Sequence, residues 1–281
     1  GAGPPEHIGH AAGDRAPMRR AFSLVELVMA LAIFSLVGML AYLALSNGVR
    51  LWKGVTDSEG ASVEMRKASV RLERDLALTE LSSLVVAPGP NSLGPAPDGN
   101  AVCFLSPVDP ATGQVARRKD GNPFWQRNIL YYLVVPTNHQ ALFGSTCAGG
   151  VGPNGLDDRC PHKVLVRKVI DSGGATQPGA PESTAERPLT NLTPYLTRPN
   201  GYSLTAMGGE PGLSQVEIVG ARLLTFRVEV APEPTRTLQE VVVTLQGVAL
   251  AEARKRLRVG QDPLSTGPFT RSLTLSVIPG N

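Results

Sequence analysis

The most constraining feature of this sequence is an apolar stretch, residues 27–49, that contains no charged residue and follows directly on RRAFSLVE. As a helix with a rise of about 1.5 Å per residue, the stretch is about 35 Å long. That length is enough to cross the hydrocarbon layer of a bilayer. The sequence therefore predicts a membrane helix or a signal sequence near the N-terminus, with one carboxylate, Glu26, at its front edge.

The charges around this stretch predict its orientation. Arg15, Arg19 and Arg20 precede it, and no acidic residue lies between Arg15 and Glu26. Because positive charge stays in the cytoplasm, we expect a single membrane pass with a cytoplasmic N-terminus and everything after Arg50 outside. The net charge of +3 over 281 residues argues against a nucleic-acid-binding protein.

Three interpretations of the N-terminal stretch stand side by side. It can be a secretory signal that is cut after small residues near Ala44. It can also be a plain signal anchor, in which the carboxylate of Glu26 reaches the lipid headgroups. A third interpretation rests on the order of the residues before the apolar helix, which is basic residues, a small residue and then Phe-Ser-Leu-Val-Glu.

This order of residues resembles the class III signal of type IV prepilins and pseudopilins. The resemblance implies a leader, residues 1–21, that prepilin peptidase removes by cutting between Ala21 and Phe22, and Phe22 is then N-methylated. It further implies a protein anchored in the bacterial inner membrane with its head in the periplasm. The family usually has Gly where Ala21 stands. Met18 is a candidate for the true start, because residues 1–17 contain no methionine.

The resemblance also implies a role for Glu26. A buried carboxylate is tolerable only where a cation meets it. In the pilin family the cation is the N-terminal ammonium of a neighbouring subunit, so Glu26 is expected to pair with Phe22 of the next protomer. This pairing would set the axial register of the filament.

The helix is predicted to continue beyond the apolar stretch. Apolar residues recur at helical spacing at Ala61, Met65, Ala68, Leu72 and Leu76, and no proline lies between Pro17 and Pro88. We expect one helix over residues 22–86. Residues 22–49 form its membrane or filament-core part, and residues 50–86 form an amphipathic part that packs on a head domain.

The head, residues 87–281, is predicted to be rich in β-strands. Short runs with β-branched and aromatic residues occur at 101–106, 129–135, 163–170, 215–219, 221–230, 240–250 and 271–278. Several alternate apolar with polar residues, which is typical of antiparallel strands with one solvated face. Residues 171–200 are predicted to form a long loop. The predicted fold class is therefore α+β, a long N-terminal transmembrane helix packed on an antiparallel β-sheet head.

The segments RLERDLALTELSSL, CFLSP, WQRNILYYLV and TRSLTLSVIPGN resemble the large minor pilins called W and the minor pseudopilins called J of type II secretion. The resemblance implies a low-abundance subunit in a priming complex at the filament tip. Its implied partners are other minor pilins, the major pilin and a tip adhesin. Alternatives are a minor pseudopilin of type II secretion and a tip adhesin or DNA-binding pilin, although nucleic acid is disfavoured.

The cysteines predict one disulfide. The head lies in an oxidising compartment by the topology above, so we expect pairing there. Cys147 and Cys160 bracket a glycine-rich segment, and closing a loop of this size stabilises a fold by about 3 kcal/mol. Cys103 has no predicted disulfide partner, and we expect it to be a small buried apolar residue rather than a reactive thiol.

No catalytic site and no cofactor are predicted. His139 and His162 lie in turn-like sequences, and no GxSxG, HExxH or P-loop pattern occurs. Asn154, Asp157 and Asp158 could offer oxygen ligands to Ca²⁺, but Ca²⁺ prefers six to eight oxygens, so a disulfide-closed turn is favoured. The basic run at 253–258 is read as a solvated hairpin end rather than a DNA site. The sequence thus predicts a structural protein and not an enzyme.

Overall fold

The computed structural model describes residues 23–90, 101–109, 111–138, 163–172, 185–201, 203–232, 239–248 and 270–280. The chain divides into two units, Gly1–Leu51 and Trp52–Asn281, which are considered separately. The first unit contains the apolar half of an N-terminal helix. The second contains the other half of that helix and an antiparallel β-sheet. An N-terminal apolar helix with an antiparallel sheet is the α+β architecture that the sequence predicts.

The N-terminal helix, α1, spans Leu24–Leu76. It ends short of the predicted limit at residue 86, and after a turn and a short 3-10 helix, Leu81–Ser83, the chain joins the sheet at Val85–Ala87. The Ser83 hydroxyl donates to the Glu80 carbonyl at 2.7 Å and accepts the Leu105 N–H at 3.2 Å. Sheet pairing then supplies the backbone partners that another helical turn would have used.

Within the described residues, the sheet has seven antiparallel strands that follow one another in chain order. They are β1 Val85–Ala87, β2 Ala101–Ser106, β3 Arg127–Val134, β4 Lys163–Ile170, β5 Leu213–Pro232, β6 Gln239–Val248 and β7 Thr270–Val277. Each of the last six strands overlaps a run that the sequence indicates as β, and β2 and β4 agree with their predicted limits.

Strand β5 combines two segments that the sequence analysis separates, 215–219 and 221–230. Its first part pairs with β4 and its second part pairs with β6, with a shift of register between Leu223 and Thr225. Arg222 has a positive φ of 57° and lies between Gly220 and Leu223, where the pairing with β4 also shifts register, as at a β-bulge. Gly220, which reads as a strand end in the sequence, therefore lies beside a bulge in one bent strand.

One face of the sheet packs on the second half of α1. The predicted apolar stripe is confirmed, because Ala61, Met65, Ala68, Leu72 and Leu76 are at most 3% exposed. All of these except Ala61 join a core with apolar side chains from β2 to β7, including Phe104, Tyr131, Leu165, Phe226, Val243 and Val277. The amphipathic part of the helix is thus a core element of the head.

The other face of the sheet is also covered in its centre. Leu192, Tyr195 and Met207 pack on it and join a second core with side chains from β2, β3 and β4. The solvated face that the sequence predicts for several alternating strands therefore does not extend to these three strands. The described part of the predicted 171–200 loop, residues 171–172 and 185–200, includes buried residues such as Glu186 and Leu192. Two buried faces explain why these strands read as nearly continuous apolar runs.

Candidate functional site

The first turn of α1 contains a reciprocal cap between Ser23 and Glu26. The Ser23 N–H and hydroxyl donate to one carboxylate oxygen of Glu26, at 3.1 and 3.3 Å. The Glu26 N–H donates in return to the Ser23 hydroxyl at 3.2 Å. This is a capping box, which satisfies amide groups that the first turn of a helix leaves without partners. The sequence analysis missed this local role, although Ser followed by Glu three residues later indicates it.

Beyond this cap, the first unit presents apolar side chains on all sides of the helix. Leu24, Phe34 and Tyr42 are at least 70% exposed, and no described residue of this unit is buried. Residues Leu24–Lys53 are long and apolar enough to cross a membrane, by length and composition. A helix that is apolar all round requires lipid or other apolar helices around it.

Several residues singled out in the sequence lie outside the described residues. They are the processing residues Ala21 and Phe22, the cysteines Cys147 and Cys160, and the calcium candidates Asn154, Asp157 and Asp158. His139, His162 and the basic run at 253–258 also lie outside them. Among the residues that the structure does describe, no group of three or more His, Cys, Asp or Glu is arranged to hold a metal ion.

In the second unit, a buried ion pair joins α1 to the sheet. Arg167 of β4 donates from Nε to Oδ2 of Asp75 at 2.6 Å, and the hydroxyl of Tyr131 donates to the same oxygen at 2.6 Å. Burial alone would lower the pKa of Arg167, but Asp75 and Tyr131 more than offset this and raise it. Burial, followed by the charge of Asp75, raises the pKa of Tyr131. Arg167 therefore stays charged and Tyr131 stays neutral.

The same cluster extends to the surface through Glu217 of β5. Glu217 accepts hydrogen bonds from Arg167 at 3.0 Å and from Arg71 at 3.1 Å. Helix residues Arg71 and Asp75 thus contact three strands, β3, β4 and β5. A role for Asp75 in the core was not predicted, although Asp75 falls on the apolar stripe, three residues after Leu72.

Close backbone contact brings the helix onto the β5 bulge. The carboxylate of Glu64 accepts the Ala221 N–H at 3.0 Å. A Cβ on Gly220 would lie 3.1 Å from the Ala68 Cβ, and one on Gly247 would lie 3.1 Å from the Met65 sulfur. The two glycines therefore allow the helix to approach the sheet, and Glu64 provides a partner for an amide that the bulge takes out of the ladder.

On the opposite face, a buried lysine fixes the covering segment. The ammonium of Lys168 donates to the Tyr195 carbonyl at 2.5 Å and to the Glu210 carboxylate at 2.6 Å. It also lies 5.2 Å from the centre of the Tyr132 ring. Burial lowers the pKa of Lys168, and the bond to Glu210 partly offsets this. Arg167 and Lys168 are adjacent in β4, so their side chains bind opposite layers of the head.

Cys103 of β2 is a free, buried thiol, 1% exposed. Its sulfur lies 3.8 Å from Oδ1 of Asn128. Burial raises the pKa of this thiol to about 12. A thiol that stays protonated is a weak nucleophile, which agrees with the interpretation of Cys103 as a buried hydrophobe.

Comparison with protein families defines the N-terminal segment. Residues 17–42 match the family model described as the prokaryotic N-terminal methylation motif. This motif, which covers 26 of the 281 residues, is typical of type IV pilins and pseudopilins, and together with the apolar helix it supports a membrane-anchored structural subunit. No curated protein and no solved structure shows significant similarity to the chain.

Proposed function

We propose that this protein is a minor subunit of a type IV pilus that forms part of the tip or priming complex. The observation that carries the proposal is the N-terminal methylation motif at residues 17–42, followed by an exposed apolar helix and a β-sheet head. An exposed helix that is apolar on all sides is stable in lipid or among other apolar helices, both of which a filament subunit meets. Such a subunit acts by binding and not by catalysis, and the proposal includes no cofactor.

In this proposal, prepilin peptidase cuts between Ala21 and Phe22, and Phe22 becomes the methylated N-terminus. The N-terminus faces the cytoplasm and the head faces the periplasm before assembly, in line with the positive charges of Arg15, Arg19 and Arg20. After assembly, the helix lies in the filament core and the head is displayed at the tip.

Mass spectrometry of the mature N-terminus tests the processing step. The expected result is a polypeptide that begins with N-methylated Phe22. A terminus near Ala44 or Leu45 would show ordinary signal-peptide cleavage and would contradict the proposal. An uncut chain would show a plain signal anchor. The control is a strain without prepilin peptidase, in which the leader is retained.

The role of Glu26 in assembly is separable from its role in the cap. A capping box accepts Gln as well as Glu at this position, whereas charge pairing with the ammonium of Phe22 requires a carboxylate. Glu26→Gln therefore removes the charge and keeps the cap. Ser23→Ala removes the hydroxyl of the cap and keeps the charge, at about 1 kcal/mol of local helix stability.

Filament incorporation of these two variants decides between the roles. If Glu26 pairs with the N-terminus of the next subunit, Glu26→Gln is processed normally and is missing from sheared filaments, while Ser23→Ala is incorporated. The opposite pattern, with Glu26→Gln incorporated and Ser23→Ala lost, would assign Glu26 to the cap alone. Immunoblots of sheared filaments and of membranes measure both quantities.

A minor pseudopilin of a type II secretion system is the second candidate. The same motif at residues 17–42 supports it, since the motif indicates pilins and pseudopilins alike. The two candidates differ in the effect of deletion. Loss of surface pili with normal export of secreted enzymes supports the pilus subunit, and loss of enzyme export with normal pili supports the pseudopilin.

A further inference from the structure

Strand β7 is an edge strand of the sheet that the structure describes. Within the described residues it pairs with β6 on one side and with no strand on the other. It spans eight residues, Thr270–Val277, with no proline among them. The opposite edge strand, β1, has only three residues. A long edge strand presents unpaired N–H and C=O groups that can pair with another extended chain.

The two faces of β7 differ in polarity. Leu273 and Leu275 face the core under α1, but they are only half-buried, because the sheet ends beside them. Ser272, Thr274 and Ser276 alternate with them and are exposed. A further strand beside β7 would therefore bury apolar side chains on the helix side and leave polar side chains in water.

A groove lies where α1 passes the start of β7. It has a volume of about 760 Å³ and is lined by Glu59, Ser62, Val63, Arg66, Lys67, Val70 and Arg271. Val63 and Val70 are 63% and 60% exposed, although they belong to the helix half that packs on the head. The groove thus joins an exposed apolar surface to the β7 edge, and three of its four charged residues are basic.

We propose that β7 accepts an extended segment of another protein as an eighth strand. The segment alternates apolar and polar residues and carries a carboxylate at the end that meets Arg66, Lys67 and Arg271. Backbone hydrogen bonds to β7 supply general affinity, and the apolar contacts and the carboxylate supply selectivity. The proposal goes beyond the proposed pilus function and does not depend on it.

Charge argues for a different protein as the occupant. The β7 strand of a second copy, TRSLTLSV, has no acidic residue. The chain's own segment 249–269 has more basic than acidic residues, Arg254, Lys255, Arg256 and Arg258 against Glu252 and Asp262. Neither segment complements a basic groove, whereas an acidic partner strand does.

The test uses the full chain in detergent micelles and a fluorescent peptide of sequence acetyl-Asp-Val-Thr-Val-Thr-Val-Asp-amide. A carboxylate at each end allows parallel or antiparallel pairing. We expect binding with a Kd on the order of 100 µM by fluorescence anisotropy. The same peptide with Lys in place of both Asp residues should bind at least about tenfold more weakly.

Backbone methylation separates strand pairing from simple apolar contact. One peptide carries N-methyl groups on its odd amides and a second carries them on its even amides. Because only alternate amides of an added strand point towards β7, one methylated peptide should lose binding and the other should keep it. Equal affinity of the two peptides, or no binding of the unmethylated peptide, would overturn the proposal.

Two single substitutions locate the site. Arg271→Glu on β7 and Lys67→Glu on α1 should each raise the Kd of the acidic peptide about tenfold. Lys67 lies outside the sheet, so Lys67→Glu tests the site even if Arg271→Glu fails to fold. Val115→Ser, at another exposed valine, is the matched control and should leave the Kd unchanged. Unchanged binding by both charge variants would overturn the proposal. Dimerisation of the full chain through β7, detected as a dimer that Leu275→Pro dissociates, would also overturn it by identifying a second copy as the occupant.

Discussion

The two halves of helix α1 share one geometry and differ in everything that surrounds them. In residues 24–51 the apolar side chains lie on all sides and none is buried. In residues 52–76 an apolar stripe is buried against the sheet, and Glu64, Arg71 and Asp75 bind groups of the head. The second half finds its partners within its own chain. The first half is apolar on all sides and has no buried residue, as the proposed membrane insertion and filament assembly require.

The difference also separates two uses of a carboxylate on a helix. Asp75 is buried and has fixed partners in Arg167 and Tyr131. Glu26 is exposed, and its described partner is Ser23 in the same turn. A carboxylate with buried partners contributes to the stability of one fold, whereas one at an exposed helix terminus is available to a second molecule.

The largest expected effect is on the stability of the head and concerns Asp75, whose partners are buried. Asp75→Ala should lower the free energy of unfolding of the head by about 3 kcal/mol, because it leaves the guanidinium of Arg167 buried without its closest counter-charge. Urea titration of the full chain in micelles, followed by Trp125 fluorescence, measures this. Glu73→Ala, an exposed carboxylate in the same turn, should change it by less than about 0.5 kcal/mol. Equal losses of unfolding free energy in the Asp75 and Glu73 variants would contradict the distinction between the buried and the exposed face of the helix.

A charge on the first half should act on the membrane instead. Leu36→Lys should disfavour insertion by about 3 kcal/mol, because it places an ammonium near the centre of the apolar segment. Val70→Lys, at a valine with 60% exposure against 61% for Leu36, should leave insertion unchanged. Alkaline extraction of membranes measures the inserted fraction of each variant. Normal insertion of the Leu36 variant would contradict a membrane role for the first half.

Close helix packing makes a smaller contribution. Gly220→Ala should destabilise the head by about 1 kcal/mol, since its Cβ would lie 3.1 Å from the Ala68 Cβ and 3.3 Å from the Glu64 carbonyl oxygen. Gly209→Ala is the matched control, because a Cβ there meets no atom within 4 Å. Urea titration of both variants provides the comparison. A stabilising Gly220→Ala would show that α1 can shift away from β5 without loss.

The smallest effect concerns the thiol of Cys103, which should not react in the folded protein. Burial raises the pKa of Cys103 to about 12, so its thiol should not react with a thiol reagent at pH 8 in the folded protein and should react after unfolding. The stabilising effect of the neutral thiol is fully present below pH 9.0 and is lost as the pH rises towards 12.

If Cys147 and Cys160 form the predicted disulfide, the unreduced, unfolded chain titrates as one thiol. Three thiols would contradict the disulfide.

Periodicity along the chain was enough to predict the helix, its buried stripe and most strands. The apolar spacing from Ala61 to Leu76 and the apolar runs of β2 and β4 are local signals that tertiary contacts reinforce. The same holds for the N-terminal motif, in which Phe22, Ser23 and Glu26 are close in sequence. Local patterns of this kind can be read without knowledge of the fold.

Long-range partners could not be read in this way. The end of α1 at Leu76, the single bent strand β5 and the second covered face depend on contacts between residues far apart in the chain. Arg167 and Asp75 are 92 residues apart, and Lys168 and Glu210 are 42 residues apart. A charge within an apolar run signals a buried partner, but it does not identify the partner.

The sequence by itself therefore determined that this chain has an apolar N-terminal helix with a processing motif and a β-rich head, because those properties follow from residues within a few turns or one strand. Tertiary structure alone decided which charges are buried, where the helix stops and which strands form the edges of the described sheet. The physical reason is that burial and pairing depend on contacts between residues far apart in the chain, and a local sequence pattern does not specify those contacts.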